Sequence, residues 1–160
     1  MDTRVKILVV ESIQRTARRV KLEGRELTPM DTRAKILSVE SALEAARRVK
    51  LEGHKLMVVT GYFDVLLARQ ARDLEATRLG ARAGCLMVVL LPRPQGLLSD
   101  RARAEMVAGL GMVDFVVTAG DDDLEELLRL LPADDVISRQ VADEEQTRLL
   151  MEHVHSRHSL

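Results

Sequence analysis

The residues best suited to chemistry lie in the stretch GYFDVLLARQ, residues 61–70, which follows the apolar run LMVV at 56–59. A buried strand, a glycine turn and a helix start form the usual frame of a phosphate-binding corner. This stretch has no P-loop lysine, no second glycine and no histidine. Candidate contacts to a bound ligand in this corner are Gly61, Tyr62, Phe63, Asp64, Arg69 and Gln70.

Asp64 has three alternative roles: general base, Mg²⁺ ligand, or structural cap of the turn. Its place just before a helix favours the cap, because a carboxylate there accepts hydrogen bonds from free backbone N–H groups. The sequence singles out no catalytic residue.

Other reactive side chains give weaker signals. Cys85 is the only cysteine and lies in the apolar run CLMVVLL, so we interpret it as a buried apolar residue and expect no disulfide. His153, His155 and His158 lie near the C-terminus, where a solvated helix end is the default. We predict no metal site there, because no second group of ligands accompanies them.

Composition excludes several classes of partner. Net charge is −1 and aromatic residues make up 2% of the chain, so neither a basic surface nor a stacking platform for nucleic acid is indicated. The apolar runs are too short to cross a bilayer. The N-terminus MDTRVK lacks the apolar segment of a signal peptide, so we expect a cytoplasmic protein.

From residue 54 the pattern alternates between strand and helix. Short apolar runs predict buried strands, and the stretches between them have helical spacing. The predicted strands are 56–60, 85–91, 113–118 and 136–138, and the predicted helices are 67–79, 99–110, 124–131 and a final one from about 142. This order predicts a parallel sheet of four to five strands with helices on both faces, a Rossmann-like α/β fold. Its ligands would bind at the carboxyl ends of the strands.

The N-terminus contains a duplication. Residues 1–27 recur as residues 30–56, with 19 of 27 aligned positions identical. In the second copy Ser38 can cap a helix from Val39 to Glu52, and Gly53 can end it. In the first copy Val9 takes the cap position and cannot accept a hydrogen bond. We therefore predict an accessory helix segment at 1–29 and an α/β domain at 30–160.

The corner and the segments around it resemble the cytidylyltransferase-like nucleotidyltransferases. The similarity is greatest to the adenylyltransferase domain of the heptose-phosphate enzymes of lipopolysaccharide synthesis. Those proteins have a lead-in helix and then a strand ending in G-x-F-D-x-L-H-x-G-H. The resemblance covers about residues 34–139, including DRARAEMVAGLGMVDFVV, in which Arg103 matches an arginine that the resemblance implies contacts nucleotide or phosphate.

Several side chains depart from the family pattern. Leu67 and Gln70 stand at the two histidine positions, and Arg69 stands at the glycine position. The resemblance implies that the histidines hold phosphates as pyrophosphate leaves. Arg69 either binds phosphate in a new way or fills the space that the glycine would leave open. A segment like the family's I/F-S-T-T, which the resemblance implies contacts nucleotide phosphates, has no counterpart.

Three functions follow from the resemblance and its departures. The first is a nucleotidyltransferase-fold protein with much reduced or no transferase activity that binds nucleotide, phosphate or another protein. The second is an active enzyme that transfers a nucleotidyl group from CTP or ATP, with Mg²⁺, to a sugar phosphate, with Arg69, Gln70 and Arg103 in substitute roles. The third is an assembly protein in which the duplicated helix joins copies. The resemblance also implies a homo-oligomer.

Overall fold

The computed structural model describes residues 31–158, and the predicted accessory segment at 1–29 lies outside them. From Lys35 onward the described chain forms one compact unit. A 3₁₀ turn, Thr32–Lys35, precedes the first strand. The strands are β1 (Ile36–Leu37), β2 (Leu56–Gly61), β3 (Cys85–Leu90), β4 (Phe115–Thr118) and β5 (Asp135–Ser138). The helices are α1 (Val39–Leu51), α2 (Ala68–Gly80), α3 (Asp100–Ala108), α4 (Asp121–Leu130) and α5 (Gln140–His158).

The five strands form one parallel sheet in the order β1-β4-β3-β2-β5, which confirms the predicted Rossmann-like α/β fold. The chain moves outward from β2 to β3 and β4, and then returns to place β5 on the other side of β2. The direction of strand succession therefore reverses between β2 and β5. Ligands of open α/β sheets bind at such a switch point, beyond the carboxyl ends of the strands.

Alternation along the strands divides the core into two layers. Val58, Met87 and Val117 point to the face covered by α1 and α4. Val59, Val88 and Val116 point to the opposite face, where residues of α2 and α3 complete the layer. All residues of β2 and β3 are buried, as expected for central strands of a parallel sheet covered on both sides.

Helix caps explain several element boundaries. The Ser38 side chain accepts the Ser41 N–H at 3.2 Å, and Ser99 accepts the Ala102 N–H at the same distance, so both predicted caps are confirmed. Gly53 follows α1 with φ of 77°, a conformation that glycine adopts without steric cost.

Two elements differ from the prediction by more than two residues at an end. Helix α4 begins at Asp121 rather than at Leu124, because its three aspartates lie in the first turn, where negative charge is favourable. Strand β1 was not predicted. It has only two residues and pairs with β4.

Candidate functional site

The end of β2 and the start of α5 meet at the switch point and form the candidate site. Gly61 ends β2, and the chain then turns through Tyr62 and Phe63. Phe63 is fully buried and has φ of 48°, in the left-handed region that bulky residues rarely adopt. This turn directs two successive backbone N–H groups toward α5.

Asp143 receives both N–H groups. Its Oδ2 atom accepts the Tyr62 N–H at 2.9 Å and the Phe63 N–H at 3.2 Å, and Oδ1 accepts Gln70 Nε2 at 2.8 Å. The guanidinium Nε of Arg139 lies 3.9 Å from Oδ1. The carboxylate is 2% exposed, so these groups replace its hydration shell.

Gln70 uses both ends of its amide in the corner. Nε2 donates to Asp143, and Oε1 accepts the Leu67 N–H at 3.0 Å, which caps the start of α2. Gln70 is 1% exposed. Leu67 is 37% exposed and has no polar side-chain atom.

Asp64 anchors the loop after β3 instead of the helix that follows it. Its carboxylate accepts the Leu97 N–H at 2.9 Å and the Leu98 N–H at 3.0 Å, and Arg93 Nε lies 3.4 Å from Oδ2. The Arg93 guanidinium also lies over the Tyr62 ring, 4.7 Å from its centroid. Asp64 therefore ties the corner to the loop that lines a cavity of about 330 Å³, formed by Pro92, Arg93, Pro94 and residues 96–100.

Arg103 joins the ends of β2 and β3. Its Nη1 donates to the carbonyls of Tyr62 and Leu91, and its Nη2 donates to Asp100. The side chain is 1% exposed, and within the described chain its Nε has no hydrogen-bond partner. Both terminal nitrogens are thus bound to protein acceptors.

The structure brings together six of the seven residues that the sequence proposed for the site. They are Gly61, Tyr62, Phe63, Asp64, Gln70 and Arg103. Arg69 differs from the others because it lies exposed on the first turn of α2. Both roles of Arg69, a new phosphate contact or a side chain that fills the space of the missing glycine, stay predictions. Whether any of these residues binds a ligand stays a prediction.

Sequence reasoning missed Arg93, Arg139 and Asp143. The chain positions of Arg139 and Asp143, just after the last short strand, were the only available signal. Ile137 and Ser138 lie immediately before Arg139 at the end of β5. The structure places this segment beside β2, because Thr60 pairs with Ser138.

No family model and no curated protein matches the chain. A solved structure does match: the lipopolysaccharide core biosynthesis protein from Thermoplasma volcanium GSS1. The two are 18% identical, with a TM-score of 0.47, over 52% of this chain and 73% of that one. The fold assignment rests on the sheet order and register of this chain itself.

Three further features concern sites elsewhere. Burial raises the pKa of the Cys85 thiol far above its ordinary value, which favours the unreactive protonated form. Among residues 31–158, no group of three His, Cys, Asp or Glu side chains is placed to hold a metal ion. None of the helices in this range has the length and apolarity to span a membrane.

Proposed function

We propose that this protein is a nucleotidyltransferase-fold protein with little or no transferase activity. The observation that carries the proposal is the hydrogen bonding of Gln70, which stands at the position of the second motif histidine. Both ends of its amide are bound within the protein, to Leu67 and Asp143. An amide also carries no positive charge and cannot shuttle a proton.

The expected loss of rate is large. Nucleotidyl transfer depends on positioning and on stabilising the negative charge that develops on the phosphates. Removal of one preorganised donor typically costs about 10²–10³ in rate. Leu67, at the other histidine position, offers no donor, and the charge of Asp143 in the same corner opposes a second anion.

A binding role is the function that remains. Arg69 is exposed beside the corner and is free to meet a phosphate from solvent. We therefore propose a cytoplasmic module that binds a nucleotide, a phosphorylated small molecule or a protein partner, with homo-oligomerisation as one such partnership. The second candidate is the active transferase, with CTP or ATP and Mg²⁺ as cofactors and Arg69 as the substitute cation.

Pyrophosphate release tests the proposal. The protein is incubated with CTP or ATP, Mg²⁺ and a panel of sugar phosphates. We expect turnover below about 0.1 s⁻¹, under the usual enzyme range. Faster turnover that Arg69→Ala abolishes would establish the active enzyme and refute the proposal.

Thermal melting with the same nucleotides separates the two binding roles. A rise in Tm without turnover supports a nucleotide-binding module. No change in Tm with any nucleotide supports a protein-interaction module.

A further inference from the structure

The surroundings of Asp143 have the construction of an anion-binding site. Two successive backbone N–H groups, those of Tyr62 and Phe63, point at one carboxylate oxygen, and a side-chain amide points at the other. Successive N–H groups presented by a turn form a concavity, called a nest, that binds anions.

Gly61, the residue before the nest, leaves the space that the same carboxylate occupies. A Cβ atom at Gly61 would lie 2.5 Å from Asp143 Oδ2 and 2.8 Å from Phe63 Cε2. Only a residue without a side chain lets an oxyanion approach the backbone this closely. Arg139 adds positive charge, and its buried Nε has no hydrogen-bond partner in the described chain.

Asp143 reaches this site from a different part of the fold. It lies in the first turn of α5, which begins two residues after β5 ends on the other side of the switch point. The hydroxyl of Thr147, one helical turn later and also buried, donates to the Asp143 carbonyl at 2.9 Å. Helix α5, which borders the crevice at the switch point, therefore places the Asp143 carboxylate in this site.

We propose that the N–H groups of Tyr62 and Phe63, with the Gln70 amide, form an oxyanion-binding site that Asp143 occupies as an internal anion. An external carboxylate or phosphate binds there only when the Asp143 side chain is absent or displaced. The proposed loss of transferase activity uses the same contact between Gln70 and Asp143. Occupancy of the corner is measured by anion binding and not by turnover, so the two proposals can fail separately.

Chemical rescue tests the proposal. Asp143→Ala deletes the carboxylate and leaves its donors unpaired, so this variant should melt well below the wild type. Sodium formate, which resembles the deleted group, and inorganic phosphate are added in separate arms up to 100 mM. We expect Tm of the variant to rise by roughly 3–5 °C in at least one arm, relative to sodium chloride at equal ionic strength.

Two matched proteins serve as controls. Thr147→Val removes a buried hydroxyl from the same turn, so it should lower Tm without gaining anything from either anion. Asp143→Asn fills the same space with a neutral amide, so it should also show no anion-specific gain. The Tm of the wild type should change no more with formate or phosphate than it does with sodium chloride at equal ionic strength.

The arms separate the two classes of anion. A gain with formate alone identifies a carboxylate-sized site, and a gain with phosphate identifies a site for phosphorylated ligands; both support the proposal. If Asp143→Ala is unfolded in buffer, recovery of its far-ultraviolet circular dichroism with either anion is the equivalent result. The proposal is overturned if Asp143→Ala gains no more than Thr147→Val, or stays unfolded in both anions.

Discussion

Gly61 is the residue at which the geometry of the corner is most constrained. A side chain there would meet the carboxylate of Asp143 and the ring of Phe63 at distances that real Cβ atoms do not adopt. The sequence pattern around this glycine predicts a phosphate corner. The structure supplies a different reason for it, the close approach of the chain's own carboxylate.

We predict that Gly61→Ala lowers the free energy of unfolding by roughly 1–3 kcal/mol, because the added methyl group overpacks the corner. Gly80→Ala is the matched control. No atom lies within 4 Å of the Cβ position at Gly80. Because Gly80 lies in a helix, this substitution should raise the free energy of unfolding by about 0.5–1 kcal/mol. Urea unfolding of the two variants measures the difference. Equal stability of both would contradict the described contact between Gly61 and Asp143.

Cys85 gives a prediction about reactivity. It is 4% exposed, and burial raises the pKa of its thiol. Labelling by a thiol reagent at pH 8 should therefore require unfolding, and should be at least ~10³-fold slower in buffer than in concentrated urea. Mass spectrometry over time measures the two rates. Comparable rates in both conditions would show that the thiol is accessible in the native state.

At the scale of elements, four of the five described strands and all five described helices could be predicted because each carries its own local signal. The continuous apolar runs of β2 and β3 match central strands, and Ser38 and Ser99 mark helix starts. Strand β1 could not be predicted, because two residues carry no periodicity and depend on pairing with β4.

The contacts of the site could be predicted only in part. Gly61 and Phe63 lie in one stretch, so sequence brings them together. Asp143 contacts Gln70 across 73 residues of chain, and only the position of β5 beside β2 joins them. Asp64 likewise resembles a local cap, yet its partners Leu97 and Leu98 lie in the loop after the next strand.

The amino end of the sheet has a charged cluster that gives a pH prediction. Asp114 accepts the Leu86 N–H at 2.8 Å and pairs with Arg78 at 2.8 Å. Burial raises the pKa of Asp114 above its ordinary 3.8, although the hydrogen bond from Leu86 and the charge of Arg78 act against this.

The sign of the pH effect follows from this raised pKa. The native state keeps the Asp114 proton to higher pH than the unfolded state does, so native stability falls as pH rises from 3.8 through the folded pKa. Asp114→Asn should remove this contribution. Urea unfolding between pH 3.5 and 7 should show the wild type losing stability relative to the variant as pH rises. The opposite trend would contradict the raised pKa.

At the scale of the whole molecule, the second copy of the duplication contributes to the described core. The second copy supplies α1, whose residues Ala42, Ala46 and Val49 are buried in one of the two layers. The two copies differ at the cap position, where Ser38 of the second copy accepts a backbone N–H and Val9 of the first copy has no side-chain acceptor.

We predict that deletion of residues 1–29 leaves the α/β domain folded, with Tm within about 3 °C of the full chain. A Tm shift of that size corresponds to a change of ~1 kcal/mol in the free energy of unfolding. Differential scanning calorimetry measures both proteins. A markedly lower Tm, or loss of the cooperative transition, would show that the first copy belongs to the core. Size-exclusion chromatography with light scattering on the same samples tests whether the segment joins copies of the chain.

The central claim is that the phosphate-type corner at the switch point is retained in its backbone and occupied by Asp143. Amide ¹H–¹⁵N chemical shifts of Tyr62 and Phe63, followed during titration with inorganic phosphate, test it most directly. We predict that both amide signals keep their positions in the wild type up to about 10 mM phosphate and move in a saturable way in Asp143→Ala. Saturable movement of both signals in the wild type, with the Asp143 side chain in place, would contradict the claim.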